Sequence, residues 1–478
     1  MNSVVAYWPS PTTLAATAWC FVASLLTIAA SKSTCGRSTW TSFYETLRWI
    51  PHKIFSSSLH SQSFGKFYIS TTAASSPLSR PTVHNARIET WIHLRSLTTG
   101  KVHPLATESP VLVHDVDPHT ANLTFTVQIH SDRVAVHFIS HGMAPSELVV
   151  WNWKTGETLL VRQHQLPLRV LTSGPIQSTY SVNLMAFAFL TERLILVGGF
   201  GDVEFNLSQP RLFVVDLDSS KGERTEFDRV EYLCAFLYPA CHPWVHALSF
   251  LIRSDPCTDW SPHPSVQVPF SIGPGPRLYV VTIWLMQVQG EEVTPIDLFV
   301  LSSTLLDRVD TLGEGETRHD FEWSEWGPAG TRMIAQAPHS HVWVCYVFGT
   351  RFSSIIGGGR LARDGRMLEV WDFNQVGIRR DIGREKGESC EVEWHVGDTS
   401  VLSSRMFDGE VRTRLPYRVL RRKLAAPSKG EPVFTEAMCS EDNVILVDVS
   451  VSFPLGVELS TMPDTGTTLS DFDVLREM

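Results

Sequence analysis

From about residue 84 the chain reads as short apolar or alternating runs separated by Gly, Pro, Asp and Ser, and long helical periodicities are scarce. Runs of this kind, bounded by turn residues, are the pattern of β-strands. They come in pairs. RVAVHFI from Arg133 is followed by LVVWNW from Leu148, and LILVGG from Leu194 by LFVVDL from Leu212. LYVVTIWL from Leu278 is followed by LFVLS from Leu298, and VWVCYVF from Val342 by LEVWDF from Leu368. Three of the second runs lead into turn residues: Lys154-Thr155-Gly156, Asp218 to Gly222, and Asn374 to Gly377. IHLRSLTTGK at 92–101 is an earlier member of the series, and VILVDVSV at 444–451 is a late strand.

The first runs begin at 133, 194, 278 and 342, which gives spacings of 61, 84 and 64 residues. WD-type propeller blades take about 40–45 residues, so these units carry long insertions. Val-Trp-Asp at 370–372 and Val-Trp-Asn at 150–152 are similar to the end of a WD-type third strand, although no Gly-His partner is evident. Many short antiparallel strands expose unpaired edges, and radial stacking of small sheets leaves only short, protected ones. The pattern predicts an all-β, irregular β-propeller-like repeat domain with long insertion loops over residues 84–457. Stacked β-sandwich domains are the alternative, and 458–478 reads as a C-terminal tail.

Residues 1–83 differ in character and predict a poorly ordered or partly helical leader. Residues 14–30 carry no charge, a length that fits a short membrane span or a signal core. No basic residue precedes Lys32, so the n-region of a signal peptide is missing. The stretch after it is Ser/Thr-rich and nearly free of acids, a pattern shared with transit peptides. The sequons at Asn122 and Asn206 matter only if the chain enters a secretory compartment.

The 478 residues are 43% hydrophobic and 19% charged, a globular composition, and 15 Trp and 25 Phe suit half-buried strand surfaces. Net charge is −10, yet the first 90 residues are basic, so the repeat region is the acidic part. An acidic body lacks the basic footprint of a nucleic-acid binder. The eight Cys are scattered, with no CxxC, which fits free thiols in a reducing, intracellular compartment.

No catalytic motif is present: neither GxSxG nor HExxH occurs, and Arg360 follows Gly357-Gly358-Gly359 where a P-loop needs Lys-Ser or Lys-Thr. Gly198-Gly199-Phe200-Gly201 lacks the dinucleotide spacing, and both glycine clusters read as turns. No catalytic residue, cofactor or metal is expected. An enzymatic alternative would require Asp202, Glu204, Asp216 and Asp372 to converge in a central channel, whereas acids at blade turns are routine. Cys234, Cys241, His242, His246 and Cys257 are suitable zinc ligands by type, but their spacing fits no compact zinc motif.

Two segments are candidate binding sites. FEWSEWGPAGTR at 321–332 offers two readings. In one, Trp residues fill a core around Gly327-Pro328, which the usual place of aromatics favours. In the other, Trp323 and Trp326 form a binding platform with Arg332 stacked on one ring. The run GGGRLARDGR at 357–366 reads as a solvated basic loop whose Arg360 and Arg363 are placed to meet a partner.

HLRSLTTGKVHPLATESPVLVHDV (93–116), ELVVWNWKTGETLL (147–160), VPFSIGPGPRLYVVTIWL (268–285) and WSEWGPAGTR (323–332) resemble the C-terminal region of mushroom-type fungal F-box proteins. The resemblance spans roughly 88–450. It implies a β-propeller-like region that recruits a protein substrate, preceded by an F-box that docks on the Skp-type adaptor of an SCF-type ubiquitin ligase. LRWIPHKIFSSSL at 47–59 is the F-box candidate, with Lys53 where an acid is usual. The expected function is a non-catalytic interaction module: an F-box-like substrate receptor or an F-box-less relative. A stand-alone scaffold, or a membrane-anchored or lumenal propeller using residues 14–30, is the alternative.

Overall fold

The computed structural model describes residues 65–72, 88–96, 100–106, 110–116, 123–140, 146–164, 186–200, 209–219, 224–226, 232–256, 275–287, 292–313, 315–335, 346–357, 366–382, 391–403, 405–424, 434, 436–440, 443–447 and 474–475. The candidate F-box at 47–59, the apolar stretch at 14–30, the sequon asparagines Asn122 and Asn206, Asp202, Glu204, Cys257, Arg360 and Arg363 lie outside them. The fold is all-β. Among the described residues there are three short helices: α1 (Ser302–Val309), α2 (Trp323–Gly330) and α3 (Gln375–Asp381). No helix among them is long and apolar enough to cross a membrane.

These residues divide into two compact units, one drawn from 55–337 and 397–415, the other from 338–396 and 416–478. Among the described residues the larger unit holds four sheets of three or more strands in chain order, and a two-stranded sheet of Ser400–Leu402 and Val411–Thr413. The first is Gly65–Thr72, Ile88–Ser96 and Val111–Val116. The second runs Leu123–His130, Arg133–Ser140, Ser146–Asn152 and Thr158–His164, with Arg224–Glu226 added in parallel. The third runs Ala186–Phe189, Leu194–Phe200, Pro210–Asp216 and Cys234–Leu237, with His319–Phe321 added in parallel. The fourth runs Val245–Arg253, Leu278–Gln287, Glu292–Leu301 and Thr331–Ala335. In the smaller unit, the fifth sheet holds Val347–Phe348, Arg351–Ile356, Met367–Asp372, Tyr417–Lys423 and the edge strand Glu391–His395. Its sixth sheet holds Glu436–Cys439, Val444–Val447 and Val474–Leu475.

Alternation along each strand divides its side chains between two cores, which is why the runs look continuously apolar. In the second sheet, Val134, Val136, Phe138, Val149 and Trp151 face Ile92, Leu94 and Leu112 of the first. Ala135, Leu148, Val150 and Leu160 face Phe187, Ile195, Val197 and Phe213 of the third. The third sheet's other face, with Leu196, Leu212, Val214 and Phe236, meets Phe250, Tyr279, Val281 and Leu298 of the fourth. Each such fully buried side chain contributes about 1.5–3 kcal/mol relative to exposure. In the smaller unit, Leu368 and Val370 pack on Ala437, Val444 and Leu446.

One hairpin recurs four times. The pairs Arg133 with Asn152, Leu194 with Asp216, Leu278 with Leu301, and Arg351 with Asp372 occupy the same place in their registers. Just beyond each pair, the amide of the following residue donates to the carbonyl of the preceding one. Trp153 donates to Asp132 at 2.9 Å, Leu217 to Arg193 at 2.9 Å, Ser302 to Arg277 at 2.7 Å, and Phe373 to Thr350 at 2.9 Å. Three of these second strands end in an Asx turn. Asn152 accepts from the Lys154 amide, Asp216 from Asp218 and Asp372 from Asn374, each at 3.0 Å. A short side chain that bonds backbone two residues on ends a strand without a glycine. The remaining hairpin uses Ser302, the first residue of α1, whose hydroxyl accepts from the Arg277 amide at 2.9 Å.

Two expectations are corrected. The partner of 367–372 is Arg351–Ile356, not the run from Val342, whose described end Val347–Phe348 is a further strand outside it. Starts of equivalent strands are therefore 133, 194, 278 and 351. Gly198 and Gly199 are not a turn but lie within Leu194–Phe200, because the Phe250 ring crosses Gly198 where a Cβ would come within 2.9 Å of it.

First strands of neighbouring sheets meet within the larger unit. The Gln128 side chain spans from one to the next, donating to the Phe187 carbonyl at 3.1 Å and accepting from the Phe189 amide at 3.2 Å. Tyr279 of the fourth sheet donates its hydroxyl to the Phe189 carbonyl at 2.6 Å.

Candidate functional site

The Trp-rich segment folds as α2 followed by a strand of the fourth sheet. Glu322 caps α2 and Glu325 reaches back to the Glu322 amide at 2.7 Å, a reciprocal capping box. Pro328 sits inside this helix. The Trp323 ring lies on Gly327, where a Cβ would come within 2.3 Å, and Gly330 abuts Thr304 of α1 just as closely. The two glycines of the segment are thus contact surfaces.

Trp326 is core. It is 2% exposed, donates its indole N–H to the Leu237 carbonyl at 3.1 Å, and packs edge-on against Phe236 at 5.2 Å. Trp323 is half-buried, edge-on to Trp326 at 5.2 Å and stacked with Tyr238 at 6.3 Å. Arg332 is fully buried. Its guanidinium goes to the segment 397–415: Asp398 Oδ1 at 3.1 Å, Ser400 Oγ at 3.0 Å and the Leu415 carbonyl at 3.0 Å. An external ligand therefore has no access to Trp326 or Arg332, and the segment takes the core-packing alternative. Trp323 is the one of the three with exposed surface.

Of the carboxylates of the channel reading, the two described ones, Asp216 and Asp372, are engaged by their own turns and by arginines. Asp216 is bridged by Arg193, with Nε to Oδ1 at 2.7 Å and a second contact from the guanidinium to Oδ2. Burial works against ionisation of Asp216, but the Arg193 hydrogen bond and charge, with the Asp218 amide, hold its pKa below the ordinary value. Asp372 accepts from Thr350 at 3.1 Å and from Arg418 at 2.8 and 3.0 Å.

Of the Cys/His group, Cys234, Cys241, His242 and His246 are described. Among the described residues no three metal-ligating side chains come together. Cys234 lies within a buried strand, and burial, helped by the Asp320 charge, pushes its thiol up to about 12. Burial likewise pushes Cys241 up to about 12, so neither is a thiolate at neutral pH. Cys234, Cys241 and Cys439 are free thiols.

The surface beside this region carries an aromatic feature at His242, a residue that suits zinc by type but not by spacing. His242 stacks on Trp244 with ring centres 4.3 Å apart, and Trp244 is 44% exposed. The loop that presents them is fastened to the 397–415 segment: the His242 amide donates to the Met406 carbonyl at 3.1 Å, and Asp408 donates to Ala240 at 2.7 Å. Val401, 49% exposed, lies on the same segment, with the Arg412–Glu410 ion pair. Exposed aromatics on a rigid frame are the usual anchors of protein recognition. The only sequence cue was Trp244 between Pro243 and Val245, in a stretch dominated by Cys and His.

A scan against protein-family models finds no match, and a search of curated proteins finds no similar sequence.

Proposed function

We propose that the six sheets of three or more strands are blades of a propeller-like repeat domain that serves as a non-catalytic protein-interaction module. The observation that carries this reading is the fourfold recurrence of one closed hairpin. Its strand-end Asn and Asp side chains are engaged by their own turns, not gathered around a reacting centre. Repeat scaffolds of this kind place recognition on loops and exposed aromatics, here the His242–Trp244 stack.

The resemblance to mushroom-type F-box proteins makes the fuller proposal an F-box-like substrate receptor of an SCF-type ubiquitin ligase. In it, residues 47–59 contact the Skp-type adaptor and the repeat domain takes an unknown protein substrate. Lys53, at a position where an acid is usual, favours the second reading, a free-standing scaffold without a working F-box. A pull-down with purified Skp-type adaptor separates the two. The full chain is expected to bind, and the full chain carrying Ile54→Asp and Phe55→Asp to lose binding. If neither binds, the scaffold reading stands and the ligase reading is abandoned.

A further inference from the structure

We propose that residues 397–415 are a strap that works as a non-covalent cross-link: docked on the larger unit through Arg332, it restrains the chain of the smaller one. The chain of the larger unit ends its main run at 337 and is taken up again at 397, so 338–396 is a loop with both ends held by the larger unit. The restraint depends on how firmly 397–415 is docked.

The docking is built around one buried cation. Besides Asp398, Ser400 and the Leu415 carbonyl, Arg332 lies within 3.5 Å of the Thr413 and Asp398 carbonyls. Backbone contacts continue the line: Met333 donates to Thr413 Oγ1 at 2.9 Å, Leu415 to the Thr331 carbonyl at 2.9 Å, and Arg414 to the Pro328 carbonyl at 3.0 Å. The strap itself is a hairpin, with Ser400–Leu402 paired to Val411–Thr413. Met406, Phe407 and Val411 enter the core of the third and fourth sheets. An ion pair to a fully buried guanidinium, hydrogen-bonded on several sides, is hard to open piecemeal because opening leaves the charge without water.

Closing a loop of this length removes conformations from the unfolded chain of 338–396, as a disulfide would. The strap should therefore protect the smaller unit although Arg332 belongs to the larger. A purely local role for Arg332 would confine any effect to 397–415 and its immediate neighbours.

Amide hydrogen exchange by mass spectrometry on the full chain tests this, comparing wild type with Arg332→Met. Peptides from 400–413 and from the fifth sheet away from the strap (351–356 and 367–372) are expected to lose protection together, each by at least about tenfold. Loss confined to 400–413, or no loss in either, overturns the proposal. If Arg332→Met does not fold, the milder pair Asp398→Asn and Ser400→Ala is read by the same peptides and judged by the same outcomes.

Discussion

Arg332 in the larger unit and Arg418 in the smaller one use the same chemistry to opposite ends. Arg418 pairs with Asp372, its cross-strand neighbour in register, and with Asp381 of α3 at 3.1 Å, and its guanidinium lies over the Trp394 ring. It is part-exposed and fastens one sheet to its own helix. Arg332 is fully buried, and its carboxylate partner, Asp398, is half-exposed. Its partners lie 66 to 83 residues further along the chain. One arginine reinforces a pairing the backbone already makes; the other is the buried cation where segments far apart in the chain meet, beside the Met333–Thr413 and Leu415–Thr331 bonds. The exposed water around Arg418 softens its loss, whereas Arg332 has no such reserve.

Replacing Arg332 with Met should have the largest effect, about 3–5 kcal/mol of stability in chemical denaturation, because it strips the buried carbonyls and Asp398 of their common donor. A loss no larger than that of the Arg418 variant would erase the contrast. Asp297 comes next, on the strand paired with that of Arg332. Burial raises its pKa to about 7, against the opposing hydrogen bond from Thr282 Oγ1 at 2.5 Å. Folded chain then binds this proton more tightly than unfolded chain. Its contribution is favourable at low pH and is lost as pH rises from about 4 through about 7. Asp297→Asn should remove on the order of 3 kcal/mol of that fall. Parallel stability–pH curves for wild type and variant would refute the assignment.

Arg418→Met should cost about 2 kcal/mol, the scale of losing charge-assisted hydrogen bonds to the buried Asp372. Its unfolding is also expected to be less salt-sensitive than wild type, since the part-exposed pairs are screened. The smallest effect falls on a repeated turn. Asn152→Ala should cost about 1 kcal/mol by removing the acceptor for the Lys154 amide, with the hairpin still closed by Trp153 and Asp132. A cost equal to that of Arg418→Met would mean that the turn, not the ladder, holds the second sheet's end.

Much of the fold is legible along the chain. The runs from Arg133, Leu194 and Leu278 begin strands at those residues, and their partners end where Asn152, Asp216 and Leu301 meet turn chemistry. For the partner of 367–372, VWVCYVF and RFSSII are both apolar, adjacent and strand-like, and periodicity cannot choose between them. Gly198 was read as a turn because a glycine that makes room for another strand's Phe250 looks the same in sequence as one that bends the chain. The helix at Trp323–Gly330 was hidden by Gly327 and Pro328, although Glu322 and Glu325 carry its capping signal.

Less of the candidate site was legible. Trp323, Trp326 and Arg332 are candidate binding residues in the sequence, yet their roles depend on what comes to meet them: Leu237, Tyr238 and the 397–415 strap. Trp244 was passed over because its exposure follows from the anchoring of its loop to Met406 and Asp408.

The sequence by itself determined the all-β character, the pairing of strands into three of the four hairpins, the division of each strand between two cores, and the turn residues that end them. These follow from period-two alternation and from side chains acting within a few residues of themselves. The tertiary structure decided that Arg332 is buried under 397–415, that Trp326 is core and Trp244 surface, and that Gly198 and Gly327 are contact points. Those outcomes require the mutual fit of surfaces far apart in the chain, which local periodicity does not encode.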